Sequence, residues 1–118
     1  MGMSLVHDPL RSLAVLRPAG VKRKRESSYA RDMTNFDFIS IKPKEKTLIA
    51  DVSGAGCVTH LWCTIMNPDK YYLRKIVLRA YWDEEKNPSI EVPIGDFFGI
   101  GHGISKNYWS LPLAMSPQ

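Results

Sequence analysis

Beyond residue 31, apolar and polar positions alternate with a period of two in short runs, and turn residues close each run. Phe36, Phe38 and Ser40 alternate with Asp37, Ile39 and Ile41 until Pro43 ends the run. Residues 47–52 form a second apolar, partly β-branched run, followed by the turn Ser53-Gly54-Ala55-Gly56. Residues 57–66 read as a longer strand closed by Asn67-Pro68-Asp69. Residues 71–82 read as another, with Ile76, Leu78, Ala80 and Trp82 on one side and Val77, Arg79 and Tyr81 on the other. A polar turn over 83–88 leads to a short strand at 89–94, which Pro93 confines to an edge or a strand end because it has no N–H for a ladder. The Gly-rich loop 96–103 follows, and 107–115 is the last apolar stretch.

The first 31 residues differ. Residues 8–16 read as a short helix: Asp8 is a plausible N-cap, Pro9 takes the first helical position, Leu10, Leu13 and Ala14 share a face, and Pro18-Ala19-Gly20 stops it. The pattern therefore predicts an N-terminal helix and leader over 1–31 and a β-domain over 32–118. Five or six closely spaced strands with turn chemistry between them indicate an all-β sandwich or jelly roll with antiparallel pairing. The run 109–115 meets the chain end almost at once, so a strand there is expected to lack partners within the polypeptide. The β-domain is thus read as incomplete, either cut from a longer chain or completed by a second one.

Charge sharpens this division. The 118-residue chain carries a net charge of +4, yet residues 1–31 hold seven basic and two acidic side chains while 32–118 hold nine and ten. The basic character belongs to the leader, chiefly Lys22-Arg23-Lys24-Arg25. Without an aromatic or helical basic stripe, the tetrad reads as solvated linker, and no nucleic-acid partner is expected. No apolar run reaches the ~18 residues of a membrane span, so no membrane partner is expected either. Cys57 and Cys63, six residues apart in one strand, would sit roughly 20 Å apart and cannot pair there. They read as two buried thiols, which favours a reducing compartment and a cytoplasmic location.

Several stretches, in order along the chain, resemble one family. They are Ser27-Ser28-Tyr29, the run 51–62 (DVSGAGCVTHLW), the run 73–83 (LRKIVLRAYWD), the run 87–99 (NPSIEVPIGDFFG), Gly101-His102-Gly103 and the run 108–112 (YWSLP). The family is the one first catalogued as domain of unknown function 2961, now glycoside hydrolase family 172, and the chain resembles its N-terminal portion. The resemblance implies a double jelly roll, of which this chain would supply the first part. It implies a homotrimer or higher oligomer and retaining cleavage or transfer of furanosides, by the difructose-anhydride synthase, α-D-fructofuranosidase and D-arabinofuranosidase types. Members run well beyond 118 residues and carry their two catalytic glutamates downstream, so no catalytic residue is carried over.

The chain's own chemistry concentrates at the Gly-rich loop. Asp96 opens a segment with three glycines, two phenylalanines and His102. Glycines let backbone approach a ligand closely, and a carboxylate there can accept two sugar hydroxyls. The competing reading is that Asp96 and His102 only brace the loop while Phe97 and Phe98 fill the core. Of the tryptophans, Trp82 on the apolar strand face reads as core. Trp109, beside Tyr108, reads as the better stacking platform. Ser28 and Tyr29 form a polar stretch before the first strand that could reach sugar or a neighbouring subunit, or simply brace the rim. The cluster Asp83-Glu84-Glu85 reads as solvated surface. His7, His60 and His102 lack metal-ligand spacing, and no phosphate loop or dinucleotide fingerprint is present, so neither metal nor cofactor is indicated. The alternative to an enzyme part is a non-catalytic β-sandwich, working by carbohydrate binding or capsid-like assembly.

Overall fold

The computed structural model describes residues 14–16 and 19–116. The helix expected over 8–16 falls almost wholly outside them. The regular elements are α1 (Tyr72–Lys75), β1 (Val77–Ala80), β2 (Ile90–Pro93), α2 (Ile94–Phe97), a 3₁₀ turn at Gly101–Gly103, β3 (Tyr108–Trp109) and β4 (Ala114–Met115). The strands form two antiparallel pairs, β1 with β2 and β3 with β4. Four short strands with little helix are compatible with a mostly-β fragment. The chain divides into two units, Met1–Cys57 and Val58–Gln118.

In the second unit, a helical turn stands where the sequence predicts the start of a strand. Asn67 Oδ1 accepts the Asp69 amide at 2.8 Å, Asp69 Oδ1 accepts the Tyr71 amide at 2.8 Å, and the Tyr72 amide donates to the Asp69 carbonyl at 3.0 Å. These Asx bonds satisfy amides that a helix start would otherwise leave unpaired. The strand expected over 71–82 therefore begins only at Val77, after α1 has buried Leu73. From there the predicted facing holds: Leu78 and Ala80 are half-buried, Val77 and Arg79 exposed.

The partner strand forms close to its predicted place. Val77 pairs with Pro93, Leu78 with Val92, Arg79 with Glu91 and Ala80 with Ile90. Pro93 occupies the strand end, where its missing N–H costs no ladder bond. Arg79 Nε donates to Glu91 Oε2 at 2.6 Å, a cross-strand pair on the solvent face that holds the guanidinium above its ordinary pKa. The connection turns at Asp83 and Glu84, both at positive φ, and the Glu85 amide closes it on the Trp82 carbonyl at 3.0 Å. Trp82, expected in the core, lies beyond the strand at this turn and is exposed.

The second correction concerns the C-terminal run. It finds its partner within itself: Tyr108 pairs with Met115 and Trp109 with Ala114. Ser110 makes the reversal, its hydroxyl donating to the Leu113 carbonyl at 2.6 Å and accepting the Leu113 amide at 3.1 Å. A side chain that satisfies both polar groups of the residue across the turn makes a short hairpin without a further sheet.

Leu73, Ile94 and Ile100 are the buried hydrophobic residues among those described, with Ile65, Tyr72, Ile76, Leu78, Phe98, Tyr108 and Met115 packed around them. This core brings together α1, the segment after α2 and the C-terminal hairpin.

The first unit is different. No strand forms over its 36–41 or 47–52, although the pattern predicts both, and none forms over 57–66, which lies in the second unit but for Cys57. Apolar periodicity supplies a face to bury, but a strand needs a continuous ladder with a neighbour, and among the described residues none of these runs is strand. Phe36, Phe38 and Leu48 are exposed, as is Trp62 in the other unit. Cys57 and Cys63, expected as buried thiols, are both exposed. Nearby chain still desolvates Cys63 enough to raise its thiol pKa. Local polar bonds organise the first unit instead: Ser28 Oγ donates to the Asp37 carbonyl at 2.8 Å, and the Ala30 amide donates to Asp37 Oδ1 at 2.7 Å.

Candidate functional site

The strand β2 hands the chain directly into the Gly-rich segment. The Ile94 amide donates to the Ile76 carbonyl at 2.8 Å, which fixes the start of α2 against the end of α1. Gly95 is the contact point. A Cβ there would lie 2.9 Å from Leu73 Cβ and 3.1 Å from the Leu73 carbonyl oxygen, so only glycine permits this approach. The chain then coils on, with the Gly99 amide donating to the Asp96 carbonyl at 3.0 Å and the Ile100 amide to the Gly95 carbonyl at 2.8 Å. What the pattern suggested as an open loop is therefore one helical turn followed by a 3₁₀ turn, anchored by two buried isoleucines.

Asp96 sits within α2, and its carboxylate accepts a hydrogen bond from Arg74 Nη1 of α1, forming an ion pair. Its side chain remains 26% exposed and that of Arg74 48% exposed, so the pair stays open to solvent. His102 adopts φ 61°, ψ 9° inside the 3₁₀ turn and is exposed. Gly103 follows at φ 67°, and a Cβ there would lie 2.9 Å from Arg74 Cγ. The Arg74 stem thus lies against the turn that presents His102, while its guanidinium holds Asp96.

A shallow open groove of about 290 Å³ is lined by Gly99, Ile100, Gly101, Ile104, Lys106, Asn107 and Tyr108. Gly99, at φ 81°, again stands where a side chain cannot: a Cβ would lie 2.6 Å from the Tyr108 hydroxyl. That hydroxyl is buried and has no hydrogen-bond partner among the described residues, an energetically costly state. Trp109, the following residue, is 80% exposed, with its ring open for stacking.

Of the residues singled out in the sequence, Asp96 pairs with Arg74, His102 precedes the Gly103 against which the Arg74 stem lies, Tyr108 lines the groove, and Trp109 continues the same strand. Phe98 packs on the core, as the bracing alternative held, and meets Phe97 edge-on at 5.2 Å. Ser28 and Tyr29 belong to the first unit, where Ser28 is engaged by Asp37. The Tyr29 hydroxyl accepts from Arg31 Nη1 at 2.5 Å, with that guanidinium 4.3 Å from the ring centroid. Sequence reasoning missed Arg74 and Lys106. Arg74 stands 22 positions before Asp96 and sits in a run that reads as strand, so no local signal connects the two.

A family model described as GH172 domain-like matches residues 31–118. The chain therefore belongs to this glycoside hydrolase family. No curated protein and no solved structure matches the chain.

Proposed function

We propose, from that family membership, that the chain supplies the first jelly roll and part of the sugar-pocket wall of a retaining furanosidase or transglycosidase. Its substrates are α-D-fructofuranosides or D-arabinofuranosides. The two carboxyl groups that perform retaining chemistry, ~5–5.5 Å apart, are glutamates contributed by sequence downstream of Gln118. Residues of this chain bind and orient the sugar. The partly exposed Asp96 carboxylate accepts ring hydroxyls, and His102 and the Tyr108 hydroxyl add hydrogen bonds. Trp109 offers an apolar face for stacking. The working form is a cytoplasmic homotrimer or higher oligomer, or the sheet is completed by a second chain.

The observation that carries this reading is the family match over residues 31–118, and it is supported by the partly exposed ion pair of Asp96 with Arg74, whose stem packs against Gly103 beside His102. The test is turnover of aryl α-D-fructofuranoside and aryl α-D-arabinofuranoside by the full-length protein, with the product anomer followed by NMR. Asp96→Asn is expected to lower kcat/KM about tenfold or more, the worth of a lost charge-assisted hydrogen bond. An unchanged kcat/KM removes Asp96 from the site. The wide exposure of Phe36, Phe38 and Leu48 favours a second reading, in which the module works by assembly alone. Under that reading neither furanoside is turned over.

A further inference from the structure

We infer that Arg74 is a positioning residue for the sugar site, one side chain that sets both the Asp96 carboxylate and the turn carrying His102. The inference rests on the proposed furanoside site and adds to it a residue outside the Gly-rich segment. Neither element can hold its site residue alone. The helix α2 is a single turn of four residues with no side-chain N-cap bond, too short to be stable by itself. The 3₁₀ turn holds His102 at a positive φ, a conformation that needs support from its surroundings.

Arg74 reaches both. Its guanidinium ion-pairs with Asp96, and its methylene stem fills the space beside Gly103 that a side chain there would need. Its own backbone is fixed by the buried Leu73 on one side and by its amide, which donates to the Tyr71 carbonyl at 2.9 Å, on the other. Neighbouring cations do not substitute for it, because Lys75 pairs with Asp69 and Arg79 with Glu91. The contact is a single one, Arg74 Nη1 to Asp96 Oδ2, and a guanidinium held by its stem directs that N–H more rigidly than a freely rotating ammonium would. The exposed part of Asp96 is thereby aimed rather than merely present. A mispositioned binding group weakens its hold on the bound sugar without unfolding the protein.

The experiment compares Arg74→Met, Arg74→Lys, Asp96→Asn and the Arg74→Met/Asp96→Asn double variant in the full-length enzyme. The substrate is whichever aryl α-D-furanoside is turned over, and circular dichroism and thermal melting are recorded for each. Arg74→Met keeps the stem and deletes the fork. It is expected to fold and to lower kcat/KM about tenfold, mainly through KM. Arg74→Lys restores part of the loss. Adding Arg74→Met to Asp96→Asn costs little more, because the two act as one unit. If Asp96→Asn is impaired and a folded Arg74→Met is not, or if the two losses simply multiply, Arg74 does not position the site although the site stands. If Asp96→Asn itself keeps full kcat/KM, the site reading falls and this inference with it. If Arg74→Met fails to fold, Arg74→Lys decides: a folded Arg74→Lys variant with wild-type kinetics overturns the inference, and one with a raised KM supports it.

Discussion

The two units of this chain carry similar sequence patterns and reach different outcomes. Residues 36–41 and 76–82 are both short apolar-rich runs that read as strands, yet only the second contains one. Phe36 and Phe38 touch each other edge-on at 6.0 Å and stay exposed. Leu78 and Ala80 lie half-buried on the inner face of β1. The difference is the partner. The segment 76–82 is followed within ten residues by a complementary run and a tight turn, so its ladder closes locally at small entropic cost. Apolar periodicity states what a segment would bury, and the availability of a hydrogen-bonded neighbour decides whether it does.

Core truncation sharpens that contrast most. Leu73→Ala should lower unfolding free energy by ~2–4 kcal/mol, as large-to-small changes in a packed site do. Leu48→Ala, at a position 76% exposed, should stay within about 0.5 kcal/mol. Urea denaturation of both variants measures this, and equal losses would mean that the first unit holds a core of its own. Adding a methyl group at glycine comes next. Gly95→Ala pushes a Cβ into Leu73 and should cost ~1–3 kcal/mol. Gly56→Ala meets nothing within 4 Å and should be close to neutral by the same titration.

The smallest effect is electrostatic. Asp69 is held below its ordinary carboxylate pKa of 3.8, first by the hydrogen bond from Lys75 and then by the Tyr71 amide. Asp32 is held below the same value by the hydroxyl and amide of Thr34. A folded-state pKa depressed in this way adds stability that is fully present above the unfolded pKa and is lost as pH falls through the folded one. Stability should therefore decline slightly below about pH 4, and Asp69→Asn should flatten that decline. Both carboxylates are solvent-facing, so screening keeps the effect small. Acid titration of the melting temperature checks it. A steeper acid limb in Asp69→Asn than in the parent would contradict the assignment.

Close backbone approach in the Gly-rich loop 96–103 was legible before the fold: a Cβ at Gly99 or Gly103 would collide, while one at Gly101 would meet nothing within 4 Å. Gly95, just before the loop, is as tightly packed and was not singled out in the sequence. The strand 89–94 was readable from Pro93 and its flanking turn. Arg74 was not readable, because an ion pair across 22 residues leaves no periodic trace. Nor was α1: Asn67 and Asp69 announced a turn, and the same side-chain oxygens that make a turn also start a helix. The C-terminal hairpin escaped notice because Ser110 resembles any polar residue until its two bonds to Leu113 are seen.

The sequence by itself determined the facing of residues within β1, the place of β2 and the family to which the chain belongs. Those features rest on local sterics, on periodicity and on residue order. Tertiary structure decided which alternating runs became strands, that Leu73, Ile94 and Ile100 form the core, and that Asp96 faces Arg74. Each of these depends on the meeting of groups distant in sequence, whose stabilisation comes from buried area and paired charges that exist only once the chain has closed on itself.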